Sequence, residues 1–100
     1  METLEALRKF GLAEKEAKTY LSLLGLGEAL ASEVAAKTSI PRQLIYDLFE
    51  RLIELGLVSF VIKDNKKYFK AAPPEQLTSI LQEKGRSLQE VMPELKKIEA

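Results

Sequence analysis

Apolar positions recur along the chain with a helical period at first, then with the period of a strand, then with a helical period again. Leu4, Leu7 and Phe10 step by three, which predicts a short helix with Thr3 as its cap and Gly11 as its stop. Ala17, Tyr20, Leu21 and Leu24 follow the i, i+3, i+4, i+7 rule of a one-sided helix, ended by Gly25 and Gly27. Residues 31–37 predict a third helix that buries Val34 and Ala35, and Thr38-Ser39 a tight break. Pro41 opens a fourth helix at its first position, where a missing N–H costs nothing. Its buried stripe is Ile45, Leu48, Phe49 and Leu52, and Gly56 is its stop.

Residues 57–62 are rich in Val, Ile and Phe and suit a strand; Lys63-Asp64-Asn65-Lys66 reads as a turn and residues 67–72 as the return strand. Pro73-Pro74 breaks the hairpin, and the chain is helical again from Glu75. The expected fold class is mainly α with a small β-hairpin. A short helix, a tight turn and a longer helix form a helix-turn-helix, and the hairpin adds a wing. The division is residues 1–74 for the winged helix-turn-helix and 75–100 for the C-terminal helix.

That last helix carries a seam. Leu77, Leu81, Lys84, Leu88, Val91, Leu95 and Ile98 step by four and three, the spacing of a coiled coil. Dimerisation through Leu77, Leu81, Leu88, Val91, Leu95 and Ile98 is the favoured reading, with a bend between Gln89 and Pro93. Folding back on the parent domain suits the first turns only.

Composition narrows the chemistry. One hundred residues, 46% of them hydrophobic, make one globular domain. The 15 basic and 15 acidic residues cancel, so binding to nucleic acid needs a local patch. The chain has neither Cys nor His, which removes disulfides, thiolate nucleophiles and the commonest metal ligand and general base. No glycine-rich phosphate loop follows a strand, and no carboxylate pair forms a recognisable catalytic motif. Neither an enzyme nor a cofactor is expected. No apolar run is long enough for a bilayer and the N-terminus is no signal peptide, so a cytoplasmic location is expected.

The candidate binding residues lie where a helix-turn-helix meets DNA. Arg42 and Gln43 sit in the first turn of the fourth helix, which such units direct at base edges. Arg42 can pair with guanine and Gln43 with adenine, each through two hydrogen bonds. Leu44 and Tyr46 accompany them, and the hydroxyl of Ser32 can meet a phosphate. An ordinary solvated helix start fits the same residues. In the hairpin, Lys63, Lys66, Lys67 and Lys70 face a single acid, Asp64. They fit a wing that grips the backbone, and equally lysines that guard an edge strand from aggregation. Against strong binding, Asp47, Glu50 and Glu54 outnumber Arg42 and Arg51 on the fourth helix.

The stretch from Phe10 to Val58 resembles the N-terminal winged-helix domain of the TrmB family of archaeal transcriptional regulators. The likeness rests on GL-x-E-x-EAK-x-Y at 11–20, ASEVA at 31–35, IPR-x-x-x-Y at 40–46, L-x-x-x-GLV at 52–58 and KKYFKAAPPEQL at 66–77. It implies sequence-specific binding to double-stranded DNA, and the heptad seam adds a homodimer. Leu30 departs from a common threonine, and Leu44 from a common polar residue. Long members of the family carry a C-terminal sugar-binding domain. The sequence ends at Ala100 without one, so sugar sensing is not carried over and any effector is unknown. The other reading is a winged helix used for protein contact in a transcription assembly, which a neutral charge and an acidic fourth helix favour.

Overall fold

A computed structural model describes residues 2–100. Its elements are α1 (Thr3–Phe10), α2 (Glu14–Leu26), α3 (Ala31–Thr38), α4 (Arg42–Glu54), β1 (Val58–Lys63), β2 (Lys66–Ala71) and α5 (Glu75–Ile98). The mainly α winged helix-turn-helix with a long last helix is therefore the fold observed.

Helix α2 is the centre, packed by α1, α3, α4 and β2. This explains the main departure from the expected pattern. A helix with neighbours on several sides has no single apolar stripe, so Thr19 and Ser22 are buried beside Ala17, Tyr20 and Leu23, while Leu24 is exposed. The Thr19 hydroxyl donates to the Lys15 carbonyl, so its burial leaves no unmet hydrogen bond. The Tyr20 hydroxyl donates to the Ala72 carbonyl at 2.8 Å and ties α2 to the exit of the hairpin. Burial, with the negative charge of Glu75 adding to it, pushes the Tyr20 phenol above its usual 10.0. The phenol is thus protonated at neutral pH, and any stability it gives is lost only as pH rises past the unfolded value.

The turn between α3 and α4 is built from local hydrogen bonds. Ser39 takes the left-handed conformation with φ 60° and ends α3. The Thr38 hydroxyl donates to the Val34 carbonyl and accepts from the Ile40 N–H. Pro41 is the N-cap of α4, one position earlier than expected, and its carbonyl accepts from the Ile45 N–H. Helix α4 then buries Ile45, Phe49 and Leu52 completely, with Leu44 and Leu48 at the flanks.

The hairpin closes through Asp64 and Asn65, with φ 50° and 62°; two positive φ angles make the type I′ turn whose twist suits two-residue loops. Its register pairs Val58 with Ala71, Phe60 with Phe69 and Lys63 with Lys66. Phe69 fastens the wing to the body. It stacks on Phe49 with ring centres 4.1 Å apart, and its backbone exchanges two hydrogen bonds with Ala29.

Helix α5 leaves the domain almost at once. Leu77 and Ile80 pack against the core, but every residue from Leu81 onward is exposed. Leu77 is thus the anchor of the helix on its own domain rather than part of a free seam, because the core reaches only its first two turns. The helix runs unbroken through Gly85 and Pro93. Proline there withholds one N–H from the Gln89 carbonyl, a loss that water makes good on an exposed helix. At 1.5 Å per residue α5 is about 36 Å long. It accounts for much of the 55 Å long axis of the molecule.

Candidate nucleic-acid interface

Three segments distant in sequence converge on one face. A cleft of about 420 Å³ is lined by Leu30, Ala31 and Ser32 at the start of α3, Arg42 and Tyr46 on α4, and Asn65, Lys66 and Lys67 of the wing. Five of the eight residues that the sequence nominates for DNA therefore share one cleft: Ser32, Arg42, Tyr46, Lys66 and Lys67. Gln43 lies just outside, in a neighbouring depression with Arg42, Tyr46 and Asp47.

Local folding places each group. The turn at Ser39 sets α4 so that its first residues, Arg42 and Gln43, are exposed. No side chain caps the first turn of α4, and no acid lies in it. Its free N–H groups and the positive end of the helix dipole therefore favour an anion. The start of α3 differs: the Glu33 carboxylate reaches back to the Leu30 N–H at 2.8 Å, supplying the cap that the Leu30 side chain lacks. The type I′ turn directs Asn65, Lys66 and Lys67 toward the same cleft.

Within the cleft, one Arg42 guanidinium nitrogen donates to the Tyr46 hydroxyl at 3.3 Å, and the guanidinium carbon lies 5.8 Å from the ring centre. Tyr46 is half exposed, and the edge of its ring meets Phe69 at 6.4 Å. It serves the core and the exposed face together. Lys67 lies 4.5 Å over the Phe60 ring. Arg42, Lys66 and Lys67 have no carboxylate partner among the described residues.

Two nominated residues lie elsewhere. The Lys63 ammonium is held 2.8 Å from the Glu28 carboxylate, away from the cleft. Leu44 packs against the core, because position 44 lies at the border of the stripe that buries Ile45 and Leu48. Sequence reading missed Asn65, whose place in the cleft follows from the turn, and Leu30 and Ala31, which contribute the rim of α3. The acids on α4 are unevenly answered. Arg51 pairs with Glu16 on α2 and with Glu54, leaving Asp47 and Glu50 without a cation partner among the described residues.

The family described as the sugar-specific transcriptional regulator TrmB matches residues 7–75, from α1 through the wing to the first residue of α5. The chain belongs to the TrmB family. It is 37% identical over 79 residues to the HTH-type sugar sensing transcriptional regulator TrmBL1 of Pyrococcus furiosus, covering 79% of this chain and 23% of that protein. It is 34% identical over 74 residues to the uncharacterized protein YrhO of Bacillus subtilis, covering 74% and 26%. This TrmB-family chain thus spans about a quarter of the length of the curated relatives it matches. In fold it is similar to TrmBL2, described as an archaeal chromatin protein with a novel mode of DNA binding. The TM-score is 0.84 at 23% identity, over 96% of this chain and 37% of that one, so the likeness extends along α5. A MarR family protein from Bacillus stearothermophilus shares the fold at a TM-score of 0.63 and 19% identity, over 88% and 64%.

Proposed function

We propose that this TrmB-family chain binds double-stranded DNA sequence-specifically and regulates transcription from the cytoplasm as a homodimer. The observation that carries the reading is the meeting of Ser32, Arg42, Tyr46, Lys66 and Lys67 in one cleft, with no acid among the residues that line it. Arg42 and Gln43 read bases in the major groove, with Tyr46 steering the guanidinium. Ser32 and the open N–H groups of α4 meet phosphates, and Lys66 and Lys67 hold the backbone beside the wing. Residues 2–74 form the DNA-binding unit. From residue 75, α5 joins two copies through Leu81, Leu88, Val91, Leu95 and Ile98.

Arg42→Ala is expected to cost about 1–3 kcal/mol of binding to a selected site and to relax preference at one base position. The fold survives, because the Arg42 side chain is exposed and its hydrogen bond is to the exposed hydroxyl of Tyr46 rather than to the core. Fluorescence anisotropy against the selected site and its single-base variants checks this. Equal affinities and equal preferences in variant and parent would remove Arg42 from the reading. Lys66→Ala with Lys67→Ala is expected to weaken binding to every sequence alike and to flatten the dependence of log affinity on log salt by about one unit for each lost phosphate contact.

The exposed acids Asp47 and Glu50 favour a second reading, a winged helix that docks on a basic protein surface in a transcription assembly. Under that reading the two lysine substitutions leave DNA affinity and its salt slope unchanged.

A further inference from the structure

The sheet ends on β1. Strand β2 is paired with β1 on one side and, at Phe69 alone, bridged to Ala29 on the other, whereas β1 has an edge with no strand beside it among the described residues. Lysine guards are missing from that edge. Lys66, Lys67 and Lys70 all belong to β2, whereas β1 reads VSFVIK and its one charge, Lys63, is neutralised by Glu28. Phe60, Val61 and Ile62 are 41%, 49% and 65% exposed, although they are consecutive and apolar. An open edge of this kind is a template for another strand.

We propose that β1 pairs antiparallel with β1 of a second copy of this chain, about a two-fold axis at Val61. The hairpin fixes which backbone groups are free. Its two-residue turn makes Lys63 and Lys66 the closing pair, which exchanges hydrogen bonds. Lys63, Val61 and Ser59 therefore direct their N–H and C=O toward β2, and Ile62, Phe60 and Val58 direct theirs outward. An axis at Val61 sets Phe60 of each copy opposite Ile62 of the other, so the residues that meet are those with free backbone groups. Val61 faces itself in the close, non-bonded position.

The side chains agree with this register. Phe60 against Ile62 and Val61 against Val61 are apolar pairs, and Lys63 falls opposite Ser59, so no like charges meet. An axis at Ile62 would instead put Phe60 opposite Asp64. Phe60 contacts Phe69 on the core side of the sheet and opens on a groove of about 200 Å³ that includes Ile53 and Tyr46 together with the charged Glu50 and Lys67. Pairing brings Ile62 of the second copy to that side, beside Phe60. The strand thus complements itself, which is why the occupant is a second copy rather than an unrelated protein.

The chain has no cysteine, so single cysteines report the contact directly. In a close non-bonded pair the Cα atoms are about 4.5 Å apart, within disulfide reach. Ser59 lies on the same face two residues away but meets Lys63 rather than itself. Both positions are exposed, and circular dichroism confirms that each variant keeps the parent's helix content. Under mild oxidation at tens of micromolar, Val61→Cys is expected to form a covalent dimer on a non-reducing gel and Ser59→Cys to remain single. No cross-link at Val61→Cys, or equal cross-linking of the two variants, would overturn the proposal.

Discussion

Leu88→Glu combined with Leu95→Glu is expected to abolish pairing through α5 and to lower affinity for a two-half-site DNA by about 10²–10⁴-fold, the effective-concentration advantage of a second linked module. Both leucines are about half exposed and neither belongs to the core cluster of the domain. Together with Leu81, Val91, Met92 and Ile98 they make a stripe that the domain cannot cover, since only Leu77 and Ile80 reach its core. Two-fold pairing of α5 presents two copies of α4 to one face of a duplex, which favours half-sites about one helical turn apart or a multiple of it. The circular dichroism of the variant should match the parent's, because the lost contacts are between copies. Analytical ultracentrifugation separates the outcomes: a parent that sediments as a monomer at micromolar concentration, or a variant that sediments with the same mass as the parent, removes α5 as an interface.

Phe69→Ala is the substitution with the largest expected cost to the fold, roughly 3–5 kcal/mol. Phe69 is 4% exposed and stacks on Phe49, and its ring centre also lies 6.4 Å from that of Tyr46 and 5.7 Å from that of Phe60. Truncation leaves a cavity where wing and α4 meet, so it also loosens the placing of Lys66 and Lys67 against Arg42. Urea unfolding followed by circular dichroism measures the loss. A cost below about 1 kcal/mol would mean that the site collapses around the missing ring and that Phe69 is not the fastener described.

Patterns dominated by one neighbour were legible in the sequence. The order of elements, the turn at Asp64-Asn65 and the core of α4 follow from glycines, turn residues and a single apolar face. Patterns set by several neighbours were not. Helix α2 buries Thr19, Ser22 and Leu23 and exposes Leu24 because elements pack on it from several sides. Leu77 belongs to the heptad by spacing, yet the core claims it because α5 starts against the domain; Lys84, also on the seam by spacing, lies 5.7 Å from the Phe10 ring centre. Met92 completes the exposed stripe at four residues from Leu88 and three from Leu95, a step that the heptad count passed over.

The candidate site divides the same way. Arg42 and Gln43 were readable from their place in a helix-turn-helix. The partners that make a cleft of them, Ser32, Lys66 and Lys67, were readable only as separate hints, because nothing in sequence says that α3 and the wing converge. Lys63 looked equivalent to Lys66, and only the fold brings Glu28 to it. The four lysines likewise looked alike in sequence, and only the strand order shows that Lys66, Lys67 and Lys70 belong to β2 while β1 carries Lys63 alone.

The central claim is that the cleft between α3, α4 and the wing neutralises DNA phosphates. A salt titration of binding to duplex DNA tests it most directly. Phosphate neutralisation releases counterions, so log affinity is expected to fall linearly with log salt, by about 0.9 for each phosphate contact, and Lys66→Ala with Lys67→Ala should make the fall shallower by about two contacts' worth. Binding that is absent at low salt, or that keeps the same slope when both lysines are removed, would contradict the account.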